Sequence, residues 1–356
     1  MTIAKKEIRV KITELEDRDE RRLALVRNMK DIFNQRGDKA LESARIEIYQ
    51  KFPNNDDVSR AIRYFAKVTL QDVLPVFPAL VSISFEAVGG EKEKLSGIGG
   101  AILFIAGAAD VHDDVFDQSL VKGARRTVFG KFGKEIAILV GDVLLVSGLS
   151  WLRKECDSIS REQSKNILSF VEQAIFDVSR AEAQEVRMRI TKDFSAEAYM
   201  DVIDLKAVVP ELNMRIGATL GKGSAASVEA LGHFGKIFGI VSTVAEEFMD
   251  LIENAELENR LKNNNPPLPL LYALRDPSIR SQILSACTQS LAKKSLEEIK
   301  RAVLSSPETT KLKDYMSALV QTEIEEFTSV ISNNKICNEL KTVLTSSLEL
   351  LKAIDR

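Results

Sequence analysis

The chain has 356 residues, 45% of them hydrophobic and 28% charged, with 49 basic against 52 acidic side chains and a formal net charge of -3. That balance lacks the clustered basic excess of a general nucleic-acid binder, so no nucleic-acid partner is expected. Cys156, Cys287 and Cys337 are odd in number and far apart, which argues against a disulfide framework or a metal knuckle and fits a reducing, cytoplasmic setting.

Gly and Pro are sparse, at 18 and 9 residues, which favours helix over sheet. Segment 1–50 is charged but places Leu23, Leu25, Val26, Met29, Ile32 and Phe33 at helical spacing, predicting one or two amphipathic helices. Its start has no apolar core and reads as neither a signal peptide nor an anchor. The loop 52–57 ends in Asn and Asp residues that make good N-caps for a following helix. Segments 76–88 and 98–111 are apolar on nearly all sides, as helices in the middle of a bundle are. The longest uncharged run, 95–109, is broken by glycines and falls short of the roughly 20 residues that span a bilayer, so no integral membrane segment is expected. Further apolar stretches run through 135–151, 167–178, 202–220 and 228–251. Asn263-Asn264-Asn265-Pro266-Pro267 then breaks the pattern, because two prolines cannot continue a helix. Helical periodicity resumes from 268 to 356. With no strand alternation, fixed repeat or long linker, residues 1–356 read as a single all-α domain of about ten or more helices around a core.

The most informative residues lie at the end of the second buried segment. Asp113, Asp114 and Asp117 fall at i, i+1 and i+4, with Asp110 upstream, so several carboxylates share one helix face. Such a face repels itself and on an apolar helix requires a positive partner, for which hard, oxygen-liking Mg2+ is suited. A solvated acidic helix end explains a lone match equally well. Glu246, Glu247 and Asp250, however, repeat the spacing after the apolar run 238–244. Two such faces meeting across a cavity could hold divalent ions, and a ligand bridging those ions would be strongly anionic, as a diphosphate is. Lys122, Arg125 and Arg126 follow the first cluster, and Lys206 interrupts an apolar run. Each also reads as a solvated surface charge, Lys206 least so. His112 reads as a packing or supporting residue and His233 as a helix-surface residue; two histidines exclude a His-rich zinc site.

Over roughly residues 55–290 the sequence resembles the trans-isoprenyl diphosphate synthase family, which includes farnesyl and geranylgeranyl diphosphate synthases. His112-Asp113-Asp114-Val115-Phe116-Asp117 looks like its first aspartate-rich motif, and Glu246-Glu247-Phe248-Met249-Asp250 like its second. The segment 133–142, Lys206-Ala207 and Leu268-Pro269-Leu270-Leu271 are similar to family segments between and after these motifs. The resemblance implies an all-α fold around a deep cavity, a homodimer, and Mg2+ gripping an allylic prenyl diphosphate that ionises and is attacked by isopentenyl diphosphate. By the same resemblance, Asp113, Asp114, Asp117, Glu246 and Asp250 would bind Mg2+, while Lys122 and Lys206 would contact the allylic diphosphate. Asp113, Asp114 and Lys206 are thus the catalytic candidates. Ala108 and Ala109 stand where bulky side chains would shorten the product pocket, which implies a product of about four isoprene units or more.

The departures bear on the second substrate. The family's basic loop falls at Asp72-Val73-Leu74-Pro75-Val76-Phe77, which has no cation. The second arginine after the first motif falls at Gly123, Thr243 replaces a glutamine and Asn265 a lysine. Losing several charge-assisted contacts would cost several kcal/mol at about 1.5 to 3 each. Arg125 and Arg126 could substitute from a shifted position. A diphosphate lyase or cyclase with no isopentenyl acceptor is therefore a rival reading, and a non-catalytic prenyl-binding regulatory subunit is another. The survival of all six motif carboxylates weighs against the latter.

Overall fold

In the computed structural model the described residues, 3–71, 73–90, 95–122, 125–288 and 293–352, form sixteen α-helices and one short hairpin. Asp72 and Gly123, two of the positions where the sequence departs from the family pattern, lie outside them.

The N-terminal segment forms one helix, α1 (Ile3–Lys51). Nothing in its periodicity breaks it, and Met29, Phe33, Ala40, Ala44 and Ile48 keep one stripe buried while Leu23 stays 62% exposed. The loop after it works as its sequence predicts: Asp56 caps α2 (Asp57–Val68) by accepting from the Ser59 amide at 2.8 Å, satisfying a donor that a helix start otherwise leaves open. The two wholly apolar segments become α3 (Val76–Ala87) and α4 (Ser96–Phe116), both buried along most of their length.

After α4 the chain makes a two-residue antiparallel hairpin, β1 (Val121–Lys122) and β2 (Arg125–Arg126), too short for its alternation to show in sequence. A short α5 (Val128–Phe132) follows, capped by Thr127. It ends at Gly133, whose φ of +86° is the left-handed conformation that glycine adopts without a steric cost. Next come α6 (Lys134–Cys156), α7 (Arg161–Thr191), α8 (Ala196–Lys206), α9 (Val208–Leu220) and α10 (Ala225–Ile252). The apolar stretch 202–220 is therefore two helices with a break at Ala207, and Pro210 lies in the first turn of α9, where its missing amide donor is harmless. The asparagine and proline run separates α11 (Asn254–Lys262) from α12 (Leu268–Ala273), and α13 (Pro277–Thr288), α14 (Lys293–Leu304), α15 (Pro307–Val330) and α16 (Asn334–Lys352) complete the chain.

The main core gathers α1, α3, α8, α9, α10, α15 and α16 around side chains such as Phe33, Leu80, Phe234, Phe248 and Phe327. A second cluster joins α1, α2, α4 and α6 through Ile48, Phe65, Phe104 and Leu144. Helices α4 and α6 lie close because α6 presents glycines: a Cβ on Gly141 would meet His112 Nε2 at 2.2 Å, and one on Gly148 would meet the Ala101 carbonyl at 3.0 Å. His112 is thus a packing residue, also 3.3 Å from the Ile138 carbonyl and 3.4 Å from Asp142.

No uncharged run in the sequence reaches membrane length, yet α6 is long and apolar enough to cross a membrane by length and composition alone. One side of it is core, with Ala137, Val140 and Leu144 fully buried, while Ile138, Leu139 and Val146 are exposed.

Candidate active site

The last turn of α4 distributes its aspartates to two sides. Asp114 is turned inward and 3% exposed. Lys122, brought back by the hairpin, places its Nζ 2.7 Å from Asp110 Oδ1 and 2.9 Å from Asp114 Oδ1. Burial raises the Asp114 carboxyl to about 6, opposed by Lys122 and aided by Asp110 and Asp117. Burial also opposes the Lys122 charge, but Asp110 and Asp114 outweigh it and lift its pKa above the ordinary lysine value.

Asp113 and Asp117 face α7. Burial and then the Asp117 charge raise Asp113 to about 6, against the pull of Lys206 and Lys122. Helix α7 contributes Glu182, Glu185 and Arg189 at i, i+3 and i+7 on one stripe. Arg189 donates to Asp117. Lys206, at the end of α8, sits 2.8 Å from Glu182 Oε1 and 2.8 Å from Glu185 Oε2. Burial opposes its charge, but Glu185, Glu182 and Asp113 overcome this and raise its pKa.

The second acidic face, at the end of α10, is divided by its own periodicity. Glu247 is on the core side, where its oxygens accept from Arg260 Nη1 and Nη2 at 2.9 and 3.0 Å, from the Tyr199 hydroxyl at 3.0 Å and from the Leu268 amide at 2.8 Å. It is fully occupied as a structural anchor. Glu246 is exposed but still hemmed in by protein, so burial raises its carboxyl, with Asp250 and Glu247 adding to the shift. Asp250 lies 2.5 Å from Arg260 Nη1; burial raises it and Arg260 opposes this. Tyr199 belongs to this second group: its hydroxyl bonds Glu247 and accepts from Arg260 Nη2 at 2.8 Å, and burial followed by the Glu247 charge raises its pKa.

The structure thus pairs Lys122 with Asp110 and Asp114, Arg189 with Asp117, and Lys206 with Glu182 and Glu185, with Asp113 near enough to Asp117, Lys206 and Lys122 to feel their charges, and it joins Asp250 to Arg260 and Glu247 beside Glu246. Arg125 and Arg126 lie on β2, the far strand of the hairpin. They turn toward α2, where Arg125 Nη1 donates to the Val68 carbonyl at 3.0 Å and the Tyr64 hydroxyl donates to the Arg126 carbonyl at 2.8 Å. Ala109 is exposed on the same side of α4 as Asp113, one turn earlier, whereas Ala108 is 1% exposed inside the second core cluster. Glu182, Glu185, Arg189, Tyr199 and Arg260 were not singled out from the sequence, because their partners are distant along the chain. Leu74, Val76 and Phe77, where the basic loop would be, pack against the main core.

The donor set suits a hard cation. Every candidate ligand is a carboxylate oxygen, the set that Mg2+ prefers over softer metals. Two buried oxygens remain short of hydrogen bonds: Asp114 Oδ1, close to Lys122 without hydrogen-bond geometry, and Glu182 Oε2. Asp113 and Glu246 are raised by charge crowding as well as burial, which a bound divalent ion would relieve.

The polyprenyl synthetase family model matches residues 76–304. A short chain isoprenyl diphosphate synthase of Methanothermobacter thermautotrophicus is 28% identical over 180 residues, 50% of this chain and 54% of that protein. The chain therefore spans about half the length of such curated relatives. Among solved structures, a geranylgeranyl pyrophosphate synthetase from Pyrococcus horikoshii superposes with a TM-score of 0.77 at 20% identity, covering 89% of this chain and 98% of that one. A geranylgeranyl pyrophosphate synthase from Corynebacterium glutamicum, solved with isoprenyl diphosphate and magnesium, gives 0.75 at 17% identity over 91% of this chain and 98% of that one. These structural likenesses carry the all-α fold, and the match over most of the helical core carries the family: the chain belongs to the polyprenyl synthetase family.

Proposed function

We propose that this chain is a prenyltransferase that ionises an allylic prenyl diphosphate and joins it to isopentenyl diphosphate, with Mg2+ held by Asp113, Asp117, Glu246 and Asp250. The observation that carries this reading is the pair of acidic helix ends, α4 with Lys122 against Asp110 and Asp114 and Arg189 on Asp117, and α10 with buried Arg260 against Glu247 and Asp250. Bound Mg2+ supplies Lewis-acid charge that makes diphosphate a better leaving group. Lys122 and Lys206 donate to the same diphosphate and carry part of the negative charge that builds as the carbon–oxygen bond breaks. Both exchange carboxylate partners for phosphate oxygens, so the ligand meets cations that are already oriented. In this reading Asp114, expected from sequence to bind Mg2+, positions Lys122 instead. Glu247 and Arg260 fix the end of α10 so that Glu246 and Asp250 keep their spacing. The allylic cation takes the double-bond electrons of isopentenyl diphosphate to form the new carbon–carbon bond, and the resulting cation gives a proton to the released diphosphate.

The same reading takes residues 1–356 as one catalytic domain, acting as a homodimer in the cytoplasm. Leu139 and Val146 on α6 and Phe176 and Ile190 on α7 are exposed apolar side chains, the kind of surface that a second copy would cover. Free, buried Cys156 and Cys337 suit a reducing compartment. The apolar packing of Leu74, Val76 and Phe77 keeps a second reading open, a lyase or cyclase that ionises the allylic diphosphate without an acceptor. Incubating the protein with an allylic diphosphate and Mg2+, with and without isopentenyl diphosphate, separates the two: elongation supports transfer, and acceptor-independent hydrocarbon or alcohol supports the lyase.

A further inference from the structure

Helix α10 carries a second group of ionisable side chains, one that the proposed chemistry does not use. His233 lies in its first half, and α15 presents Glu323 and Glu326 to it, one turn apart. His233 Nδ1 is 2.5 Å from Glu323 Oε2 and 3.7 Å from Glu326 Oε2, and one ligand atom from each of the three residues lies within 4.8 Å of the other two.

Glu323 is 1% exposed. Its surroundings are apolar: Phe234, next to His233, and Phe327, one turn after Glu323, are fully buried and meet edge to face at 5.3 Å. A carboxylate in such a place keeps its charge only against a cation. Among the described residues its only cationic partner is His233, which is charged only when protonated. Glu326 then adds a second negative charge beside the first, which a simple histidine–glutamate pair does not call for. The Glu326 and His233 side chains are 60% and 49% exposed, so a hydrated ion can reach the group from solvent while Glu323 holds it from the core side.

The geometry points to a divalent metal site in which His233, Glu323 and Glu326 bind Zn2+, or an ion of similar softness, and join α10 to α15. One imidazole nitrogen with two carboxylate oxygens, and a fourth position for water, is a donor set that Zn2+ accepts, whereas Mg2+ takes oxygen. A tetrahedral ion with bonds of about 2.0 to 2.2 Å holds its donors about 3.3 to 3.6 Å apart. The 3.7 Å edge is already close to that spacing, and the 2.5 Å edge opens by about 1 Å when the hydrogen bond gives way to the ion. Glu229, one turn before His233, is engaged by Arg215 at 2.7 and 3.0 Å. Glu246 lies about 20 Å further along α10, at about 1.5 Å per residue, so this site is separate from the acidic faces and does not depend on the prenyltransferase reading.

The test titrates Co2+, a spectroscopic stand-in for Zn2+, into the full-length protein with excess Mg2+ present to occupy the acidic faces. Wild-type protein takes up one equivalent with the intense visible absorption of a four-coordinate ion, and Zn2+ displaces it. Glu326→Gln, at an exposed position, weakens binding at least tenfold without unfolding the protein, His233→Ala abolishes the absorption, and Asp113→Ala leaves it unchanged. Zn2+ raises the melting temperature of wild type and of Asp113→Ala but not that of Glu326→Gln. No such absorption in wild type, or absorption that persists in Glu326→Gln or His233→Ala, overturns the site and leaves a histidine–glutamate pair alone. Absorption lost in Asp113→Ala overturns it as well, by moving the bound ion to the acidic faces.

Discussion

Arg260 Nη1 lies 2.5 Å from Asp250 Oδ2 and 2.9 Å from Glu247 Oε1, so one buried guanidinium holds both a candidate metal ligand and the anchor of the helix that carries it. With Arg260 only 6% exposed and Glu247 7% exposed, neither charge has water to fall back on. Replacing Arg260 with alanine should cost about 3 to 5 kcal/mol of stability by leaving Glu247 buried and unpaired. Urea denaturation of Arg260→Ala checks this, and a loss under about 1 kcal/mol would mean that the pair is solvated.

Asp113 and Asp114 both have carboxyls raised from 3.8 to about 6. A carboxyl that holds its proton more tightly when folded stabilises the fold below its unfolded pKa and loses that contribution as pH rises through its folded one. In EDTA the melting temperature should therefore fall as pH rises from about 4 to about 6 on account of these groups. Mg2+ needs the ionised forms, so the stabilisation gained on adding it should grow across the same interval. Equal Mg2+ stabilisation at pH 5 and pH 7 would contradict the placement of Asp113 among the ligands.

Asp113→Ala should abolish turnover while the melting temperature in EDTA stays equal or rises, because a crowded carboxylate is removed. Lys206→Ala is a less clean probe, since it leaves Glu182 and Glu185 buried without their cation. Retained turnover in Asp113→Ala would remove that residue from the reaction.

Ala109 is exposed one turn before Asp113, while Ala108 is buried among Leu103, Phe104 and Val111. Ala109→Phe should shorten the longest product with little loss of stability. Ala108→Phe should overpack the core at about 1 to 3 kcal/mol. Chromatography of products from the two variants checks the difference, and unchanged chain length in Ala109→Phe would place the pocket elsewhere.

The fold was legible because apolar periodicity and capping residues are local signals. Asp56 beside Ser59 shows this, as does Ser160, whose capping box with Gln163 starts α7. The sequence left open whether 1–50 is one helix or two and did not show the break at Ala207, and the strands of the hairpin at 121–126 are too short for their alternation to be legible. In the site, the carboxylates stood out by spacing and Lys122 by its place after them, but two of the cations did not: Arg189 pairs with Asp117, and Arg260 with Asp250 and Glu247, only through tertiary contact. His233 is half-exposed, as a helix-surface residue should be, yet it also pairs with Glu323 on α15, a partner that the sequence does not reveal. One further signal was available. Glu247 shares its helix face with Val244 and Leu251, both fully buried, so the 3.6-residue period already separates it from Glu246 and Asp250.

The most direct test of prenyl transfer is product analysis of the purified protein with Mg2+ and labelled geranyl, farnesyl or geranylgeranyl diphosphate, each with and without isopentenyl diphosphate. Elongated prenyl diphosphate that requires both Mg2+ and the acceptor is the predicted result. Conversion to hydrocarbon or alcohol without the acceptor, or no conversion of any substrate, would contradict it.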